Sequence, residues 1–289
     1  MIANQIFLET TNKCTACCTT CLNRSMSRQR GVMAPELFKK LVDDIAAKSL
    51  TGIVHLYGFG EPYLTPNYLD YCAYAIPKLK RAGVGTNIIT NGSVTTSIPQ
   101  GVMNFIISFN GGNKESYEAI TGLDFKQTVA NIKRLYKEGQ FKNANNVEIH
   151  CLIFKDNQGQ EQEVLDLFKD VHGMRIRFAY KYDNQRGLIE NKTITEYNTA
   201  KKLPCHYVFN VLNITWNGEV SACPHDENNQ VVYGNVNTHT IEEVCASPVA
   251  IKLREKHAKH QFDGICKDCN FNTAFEDKYV YYKNGVPCV

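Results

Sequence analysis

No stretch of the 289-residue chain approaches the roughly 18 to 20 consecutive apolar residues that a membrane-spanning helix needs. The opening segment, MIANQIFLETTNKC, has neither the basic region nor the apolar region of a secretory signal. Net charge is only +3, too little for the dense positive field of a nucleic-acid binder. The most basic stretch, Lys252, Arg254, Lys256 and Lys259 with His257 and His260, reads as a solvated helix face. Internal repeats and low-complexity segments are also lacking. These absences describe a cytoplasmic globular protein with no nucleic acid and no membrane among its partners. Apolar residues make up 43% of the chain, enough for a real core.

Cysteine, by contrast, is abundant. Twelve are present: Cys14, Cys17, Cys18, Cys21, Cys72, Cys151, Cys205, Cys223, Cys245, Cys266, Cys269 and Cys288. A cytosolic chain of this size has little use for disulfides. Clustered cysteines in such a chain point to metal ligation or catalysis. They gather near the N-terminus and in the last third.

The apolar pattern predicts strands at 5–9, 52–57, 84–90, 102–108, 147–154 and 175–180. Between them it predicts helices at 34–48, 68–81, 114–120, 125–137 and 160–172. Alternating strands and helices imply right-handed crossovers and a parallel sheet. About six units fit, fewer than the eight of a full barrel, so the fold class is α/β with a partial (β/α)6 barrel over residues 1–183. Reactive groups of such folds sit at the carboxyl ends of strands. The cysteine cluster, Gly58-Phe59-Gly60-Glu61-Pro62, Thr90-Asn91-Gly92 and Ser108-Phe109-Asn110-Gly111-Gly112 all fall there. Residues 183–202 are polar and read as a linker. Beyond it the alternation stops. Short strands at 208–216, 220–222 and 231–233 flank the hairpin signal Asn217-Gly218, and a helix over 241–260 leads to Cys266-Lys267-Asp268-Cys269.

Cys14-x3-Cys18-x2-Cys21 gathers three thiols in one loop. Soft thiolates select zinc, copper(I) or iron–sulfur clusters. Spacing alone leaves open a zinc loop completed by a remote residue, or a four-iron cluster with one iron free to bind a reactant. The segment CTACCTTC resembles the CX3CX2C motif of the radical S-adenosylmethionine (SAM) enzymes. GFGEP is similar to the motif that binds the SAM amino group in that family. TNG and SFNGGNKESYEAITG resemble the next two strand ends, so the resemblance covers about residues 5–180. It implies that Cys14, Cys18 and Cys21 hold a [4Fe-4S] cluster whose open iron is chelated by SAM. Reductive cleavage of SAM then yields methionine and a 5′-deoxyadenosyl radical, which abstracts hydrogen from a substrate. Carried over residue by residue, Gly60 and Glu61 match the amino-group site and Pro62 the turn after it. Ser108 and Asn110 are candidates for the ribose or carboxylate of SAM, and Asn157 is a further one. Phe59 replaces a common glycine. Thr20 stands where many members place an aromatic residue near the adenine. Cys17 lies outside the motif's register and reads as a non-ligand.

Cys205, Cys223, Cys266 and Cys269 form a closed set of four, either a zinc ribbon or an iron–sulfur centre. The arrangement resembles the C-terminal extension of radical SAM enzymes called SPASM, in its shortened "twitch" form. Full SPASM regions carry more cysteines than CKDCNFNTAFEDKY supplies. The resemblance implies one auxiliary [4Fe-4S] cluster, hence two clusters in all, in a small domain over residues 184–289. An oxidised auxiliary cluster can accept the electron of a substrate radical. Oxidoreduction, with dehydrogenation of a small polar alcohol or sugar preferred, is therefore the expected function. Epimerisation of a sugar or aminocyclitol carbon and modification of a peptide or protein are alternatives. A non-catalytic zinc or electron-transfer protein is the remote one. The first motif begins at residue 14, which argues against a leader-dependent peptide enzyme. Expected partners are a small-molecule or peptide substrate and a reductant of the flavodoxin or ferredoxin type.

Other residues carry two readings each. Cys245 is the candidate hydrogen donor of an epimerase, or a small buried residue on an apolar helix face. Cys72 and Cys151 read as core. Arg175 and Arg177 share one strand face, and Arg177 is a candidate substrate contact. Lys181 is on the same strand. His225-Asp226 faces substrate or forms a polar loop pair. His257 and His260 have a metal-binding spacing but no third ligand nearby, and read as surface histidines.

Overall fold

The computed structural model describes residues 2–180, 203–269, 279–283 and 286–288. The linker predicted over 183–202, the domain boundary near 183 and Lys181 lie outside them. Six strands run parallel in sequence order: β1 (Gln5–Leu8), β2 (Ile53–His55), β3 (Gly85–Thr90), β4 (Val102–Ser108), β5 (Ala144–Ile153) and β6 (Arg175–Tyr180). Helices α1 (Pro35–Lys48), α2 (Tyr68–Arg81), α3 (Lys114–Thr121), α4 (Phe125–Lys137) and α5 (Glu161–Leu167) make the crossovers. This is the partial barrel expected from the pattern. Each helix buries one stripe. On α2 it is Tyr68, Tyr71, Cys72, Ala75, Ile76 and Leu79, spaced at three and four residues. Alternate strand residues such as Ile6, Leu8, Val54, Ile88 and Ile149 meet those stripes with no exposed surface. Cys72 and Cys151 belong to this core.

One crossover has no helix. Residues 91–101 join β3 to β4 directly, and side chains from the next unit replace the missing helical hydrogen bonds. Asn131 donates to the carbonyls of Gly92 and Thr95 at 2.7 and 3.0 Å. Arg134 donates to Thr95 and Thr96, and Asn143 to Ile98.

The second region does not hang as a separate bead. After the short helix α6 (His206–Asn210), strand β7 (Val211–Ile214) pairs in parallel with β1, opposite Gln5 to Leu8. Strands β8 (Glu219–Ser221) and β9 (Val232–Asn235) continue the sheet antiparallel. At the other side, β10 (Tyr279–Lys283) pairs antiparallel with β6, and β11 (Val286–Cys288) with β10. Among the described residues the sheet thus has 11 strands and both edges of the barrel are covered.

Several expected boundaries move. The strand predicted over 208–216 is a helix up to Asn210, because Val208 turns into the core. The helix predicted over 241–260 is two, α7 (Ile241–Cys245) and α8 (Pro248–Ala258), since Pro248 cannot continue a helix but starts one well after the Ser247 cap. The helix predicted over 160–172 stops at Leu167. No helix among the described residues is long and apolar enough to cross a membrane.

A buried ion pair within the barrel carries contacts to the second region, through Arg28 Nε to Glu227 O at 2.8 Å and Trp216 N to Glu9 Oε1 at 3.3 Å. Glu9, just past β1 and fully buried, takes Arg28 through two bonds, Nη1 to Oε1 at 2.8 Å and Nη2 to Oε2 at 2.5 Å. Removing the cation alone, in Arg28→Met, strands a buried carboxylate and is expected to cost about 3–5 kcal/mol. The checking measurement is the thermal midpoint of the cluster-loaded chain. The double variant Glu9→Gln, Arg28→Met should recover most of the loss. A single variant that melts like the parent would show that the pair contributes no more than an exposed one.

Candidate active site and auxiliary thiol site

The chain leaves β1 through four buried polar residues, Glu9, Thr10, Thr11 and Asn12. Each is matched by a partner. Thr11 donates to Gly31 O at 2.7 Å, and Asn12 exchanges bonds with Gln29 O and Gly31 N at 2.9 and 2.8 Å. The return segment is thereby stitched to the outgoing one, and the cysteine loop is held between them. The loop is also hung on the end of α3, where Cys17 N and Thr19 N donate to Thr121 O and Ile120 O.

Cys14, Cys18 and Cys21 line an open cavity of about 420 Å³ together with Cys17, Lys13 and Arg30. Burial pushes the Cys14 thiol up to about 11 and Cys18 to about 12, and raises Cys21 as well. Yet donors already point at the sulfurs. Asn23 N reaches Cys21 Sγ at 3.4 Å, and Asn91 Nδ2 reaches Cys14 Sγ at 3.8 Å. Cys14 and Cys18 are half-buried and Cys21 opens to solvent, and thiols flanked by donors suit thiolates whose charge a bound metal centre would balance. The donor set therefore fits an iron–sulfur cluster. Cys17 is exposed, on the same loop.

Gly60 and Glu61 are brought directly against this loop. A Cβ on Gly60 would lie 2.4 Å from Thr11 O and 2.5 Å from Lys13 O, so only glycine permits the approach. Glu61 N then donates to Lys13 O at 2.8 Å. The Glu61 side chain accepts from Thr90 Oγ1 at 2.7 Å and Asn91 N at 2.8 Å, tying the second strand end to the third. Burial raises its carboxyl to about 7. Pro62 opens the single 3-10 turn that follows. Ser108 ends β4, half-buried. Asn110 accepts from Leu152 N at 2.9 Å and so bridges β4 to β5. Asn157 stands apart, with its amide engaged within its own turn by Phe154 N at 2.7 Å and Leu152 O at 2.8 Å.

The sheet face turned away from the helices is polar at one level and aromatic above it. Asn87, Asn104 and Asn146 form an amide ladder across β3, β4 and β5. Glu148 binds Arg177 at 2.8 Å and Arg175 at 3.3 Å, and Arg177 also reaches His150 at 3.1 Å. Toward the strand ends a cavity of about 340 Å³ opens, walled by Phe7, Tyr57, Phe59, Tyr180 and Tyr207, with His150, Asn213 and His225 as polar members. Arg177 is not in the lining of this cavity and bonds His150, which is. Cys245 is buried on α7 and does not line it.

Cys205, Cys223, Cys266 and Cys269 surround a second, narrow cavity, with His257, Tyr207 and His225 in its wall. Burial raises the Cys205 and Cys223 thiols. His225 N donates to Cys223 Sγ at 3.3 Å. Four thiols and a sulfur-directed amide again fit an iron–sulfur cluster. Among the described residues, no three His, Cys, Asp or Glu side chains gather on one metal-ion position.

The sequence reading missed Asn91 as a sulfur donor, the aromatic cavity wall and His257. Asn91 stood in the TNG signal and could have been found. The aromatic wall comes from four separate segments, and no local pattern marks it. His257 is corrected outright: it is not a surface histidine but is 1% exposed, whereas His260 is exposed.

Residues 8–168 match the family model of the radical SAM superfamily, and residues 205–270 match that of SPASM, an iron–sulfur cluster-binding domain. A curated protein from Niallia circulans, S-adenosyl-L-methionine-dependent 2-deoxy-scyllo-inosamine dehydrogenase, is 22% identical over 290 residues, covering 96% of this chain and 97% of that protein. The crystal structure of BtrN in complex with AdoMet and 2-DOIA superposes with a TM-score of 0.62 at 17% identity, covering 93% of this chain and 94% of that one. Streptococcus suis SuiB bound to S-adenosylmethionine also gives 0.62, at 13% identity, over 88% of this chain and 68% of that one. With the matched model spanning more than half its length, the chain belongs to the radical SAM superfamily, as an enzyme of [4Fe-4S] and SAM chemistry with a SPASM iron–sulfur region at its C-terminal side.

Proposed function

We propose that this radical SAM oxidoreductase dehydrogenates a small polar alcohol or sugar, with a single auxiliary [4Fe-4S] cluster as the electron acceptor. One observation carries the reading. Tyr207 and His225 line both the cavity at the strand ends and the cavity of the four later thiols. An electron leaving a substrate in the first cavity would cross one layer of side chains to reach the second. The size of the first cavity, about 340 Å³, suits a small molecule. The Niallia circulans relative, named as a dehydrogenase of 2-deoxy-scyllo-inosamine, supports the same substrate class.

Bound cofactors supply a 5′-deoxyadenosyl radical at the first site and an electron sink at the second. The rest falls to the chain. Cys14, Cys18 and Cys21 hold the first cluster, and Cys205, Cys223, Cys266 and Cys269 the second. Asn91 and the Asn23 amide steady the thiolates of the first set. Gly60 and Glu61 fix the turn for the SAM amino group, and Ser108 and Asn110 lie at the strand end beyond it. Phe7, Tyr57 and Phe59 exclude water and offer flat faces to a ring, while His150 and Asn213 orient its hydroxyl groups. With both groups held by those residues, the chemistry supplied would remove one hydrogen atom from the substrate and then one electron, with one proton passing to solvent. The products are a carbonyl compound and 5′-deoxyadenosine. Cys245 lies off the cavity wall, which favours oxidation over an epimerisation that uses it as donor. We assign residues 1–183 to the barrel and 184–289 to the twitch-type region. The reductant is an electron carrier of the flavodoxin or ferredoxin type, met by the exposed Lys13 and Arg24 beside the first loop.

Anaerobic reconstitution should load about eight irons per chain, as expected for two four-iron clusters. Dithionite and SAM should then yield 5′-deoxyadenosine, and a panel of polyols and aminocyclitols should show one oxidised product per nucleoside. A loaded, folded protein that releases no 5′-deoxyadenosine defeats the proposal. Alanine at Cys14, Cys18 and Cys21 together should leave about four irons, the other cluster alone, and abolish SAM cleavage.

Cys223→Ala separates oxidation from its rivals. Loss of the auxiliary acceptor should leave SAM cleavage measurable while the carbonyl product falls at least tenfold. Full carbonyl yield from the variant would mean that the electron goes to another acceptor, whereas an inverted alcohol with no carbonyl would mean that the radical is quenched by hydrogen.

A further inference from the structure

The auxiliary site has a member that its cysteine pattern does not announce. His257 sits in the last turn of α8, fully enclosed, with its ring in the wall of the cavity formed by the four thiols. Its Nδ1 accepts the backbone N–H of Cys205 at 3.2 Å. A ring nitrogen that accepts a hydrogen bond carries no proton, so the imidazole is neutral and its proton is on Nε2. That Nε2 is buried and meets no hydrogen-bond partner among the described residues. The ring cannot swing out to find one, because Phe209 and Phe262 stand edge-on to it with centroids 6.5 and 5.1 Å away. Neighbouring walls from Val208, Ala222 and Leu253 offer only apolar side chains. A buried N–H of this kind calls for an acceptor, and the group that best supplies one is sulfur.

We infer that His257 donates its Nε2–H to a sulfur of the auxiliary cluster and thereby raises that cluster's reduction potential. The inference rests on the reading that Cys205, Cys223, Cys266 and Cys269 hold an iron–sulfur cluster. The direction follows from charge. Reduction adds one electron to the cluster, so a donor dipole aimed at its sulfur stabilises the reduced form more than the oxidised one. His257 is thus a positioning and tuning residue that makes the cluster a better acceptor for the substrate's electron. The Cys205 amide orients the ring, so the same histidine couples the backbone of one ligand to the electronics of the whole centre.

The test uses full-length, reconstituted protein and two variants. His257→Phe keeps the aromatic packing against Phe209 and Phe262 but has no donor, whereas His257→Gln is smaller but restores an N–H. Iron content and redox titrations followed by electron paramagnetic resonance are measured for all three. Both variants should retain the parent's iron. The Phe variant should hold its auxiliary electron at least tenfold less favourably, a drop of about 59 mV for one electron. The Gln variant should regain more than half of that drop, and the potential of the first cluster should not move in either. Three results would overturn the inference: an unshifted potential in His257→Phe, an equal drop in His257→Gln, or loss of the auxiliary irons from both variants. If the parent chain itself binds only the irons of the first cluster, the cluster reading fails instead, and the hydrogen bond goes with it.

Discussion

The carboxylate of Glu9 has no access to water, and that single constraint organises the site. A buried charge must be matched on every side. Arg28 meets it with two bonds, Phe59 N approaches Oε2 at 3.4 Å, and Trp216 N approaches Oε1 at 3.3 Å. These partners come from the return of the cysteine loop, the second strand end and the C-terminal hairpin. Arg28 reaches on to Glu227 O at 2.8 Å, and Asn228 accepts from Ser27 N at 2.6 Å. The packing is equally close, since a Cβ on Gly31 would lie 2.4 Å from the Trp216 ring. One buried ion pair therefore fixes where the first thiol set stands relative to the hairpin that carries Cys223.

The same economy governs Glu61. Its carboxylate is spent on Thr90 and Asn91, so the GFGEP turn cannot drift from the third strand end. Asn91 in turn faces Cys14. A chain of contacts thus runs from the second strand through the third to Cys14. The motif residues act here as struts as much as contacts. Gly60 is the clearest case, because it admits the carbonyls of Thr11 and Lys13 where any side chain would push the loop away.

Much of this was legible in the sequence. The six barrel strands show because alternate residues such as Ile6, Leu8, Val54 and Ile88 must face the helices. The thiol spacings show because ligation demands them. What did not show depends on distant partners. Nothing local says that Val211–Ile214 will lie beside Gln5–Leu8, or that Tyr279–Lys283 will cover the far edge. The missing helix over 91–101 is made possible by Asn131 and Arg134, dozens of residues later. His257 hides among charges on α8, and only the docking of α6 against that helix, with Cys205 at its cap, buries the ring.

The sheet explains why the four later thiols stand against the cavity at the strand ends. A parallel barrel closed on itself would leave no strand edge for a second region to join. Here β1 remains available, and β7 takes it in the same direction. The chain reaches β7 through α6, which begins right after Cys205, and leaves it through the hairpin that ends in Cys223. Both cysteines are therefore anchored to the strand beside Phe7, and Asn213 of β7 stands level with Phe7 in the cavity wall. Tyr207 and His225 follow those two cysteines by two residues each and line the strand-end cavity on one side and the thiol cavity on the other. The closeness of the two cavities is then a consequence of strand register, and a shift of β7 by one residue would turn Asn213 out of the wall.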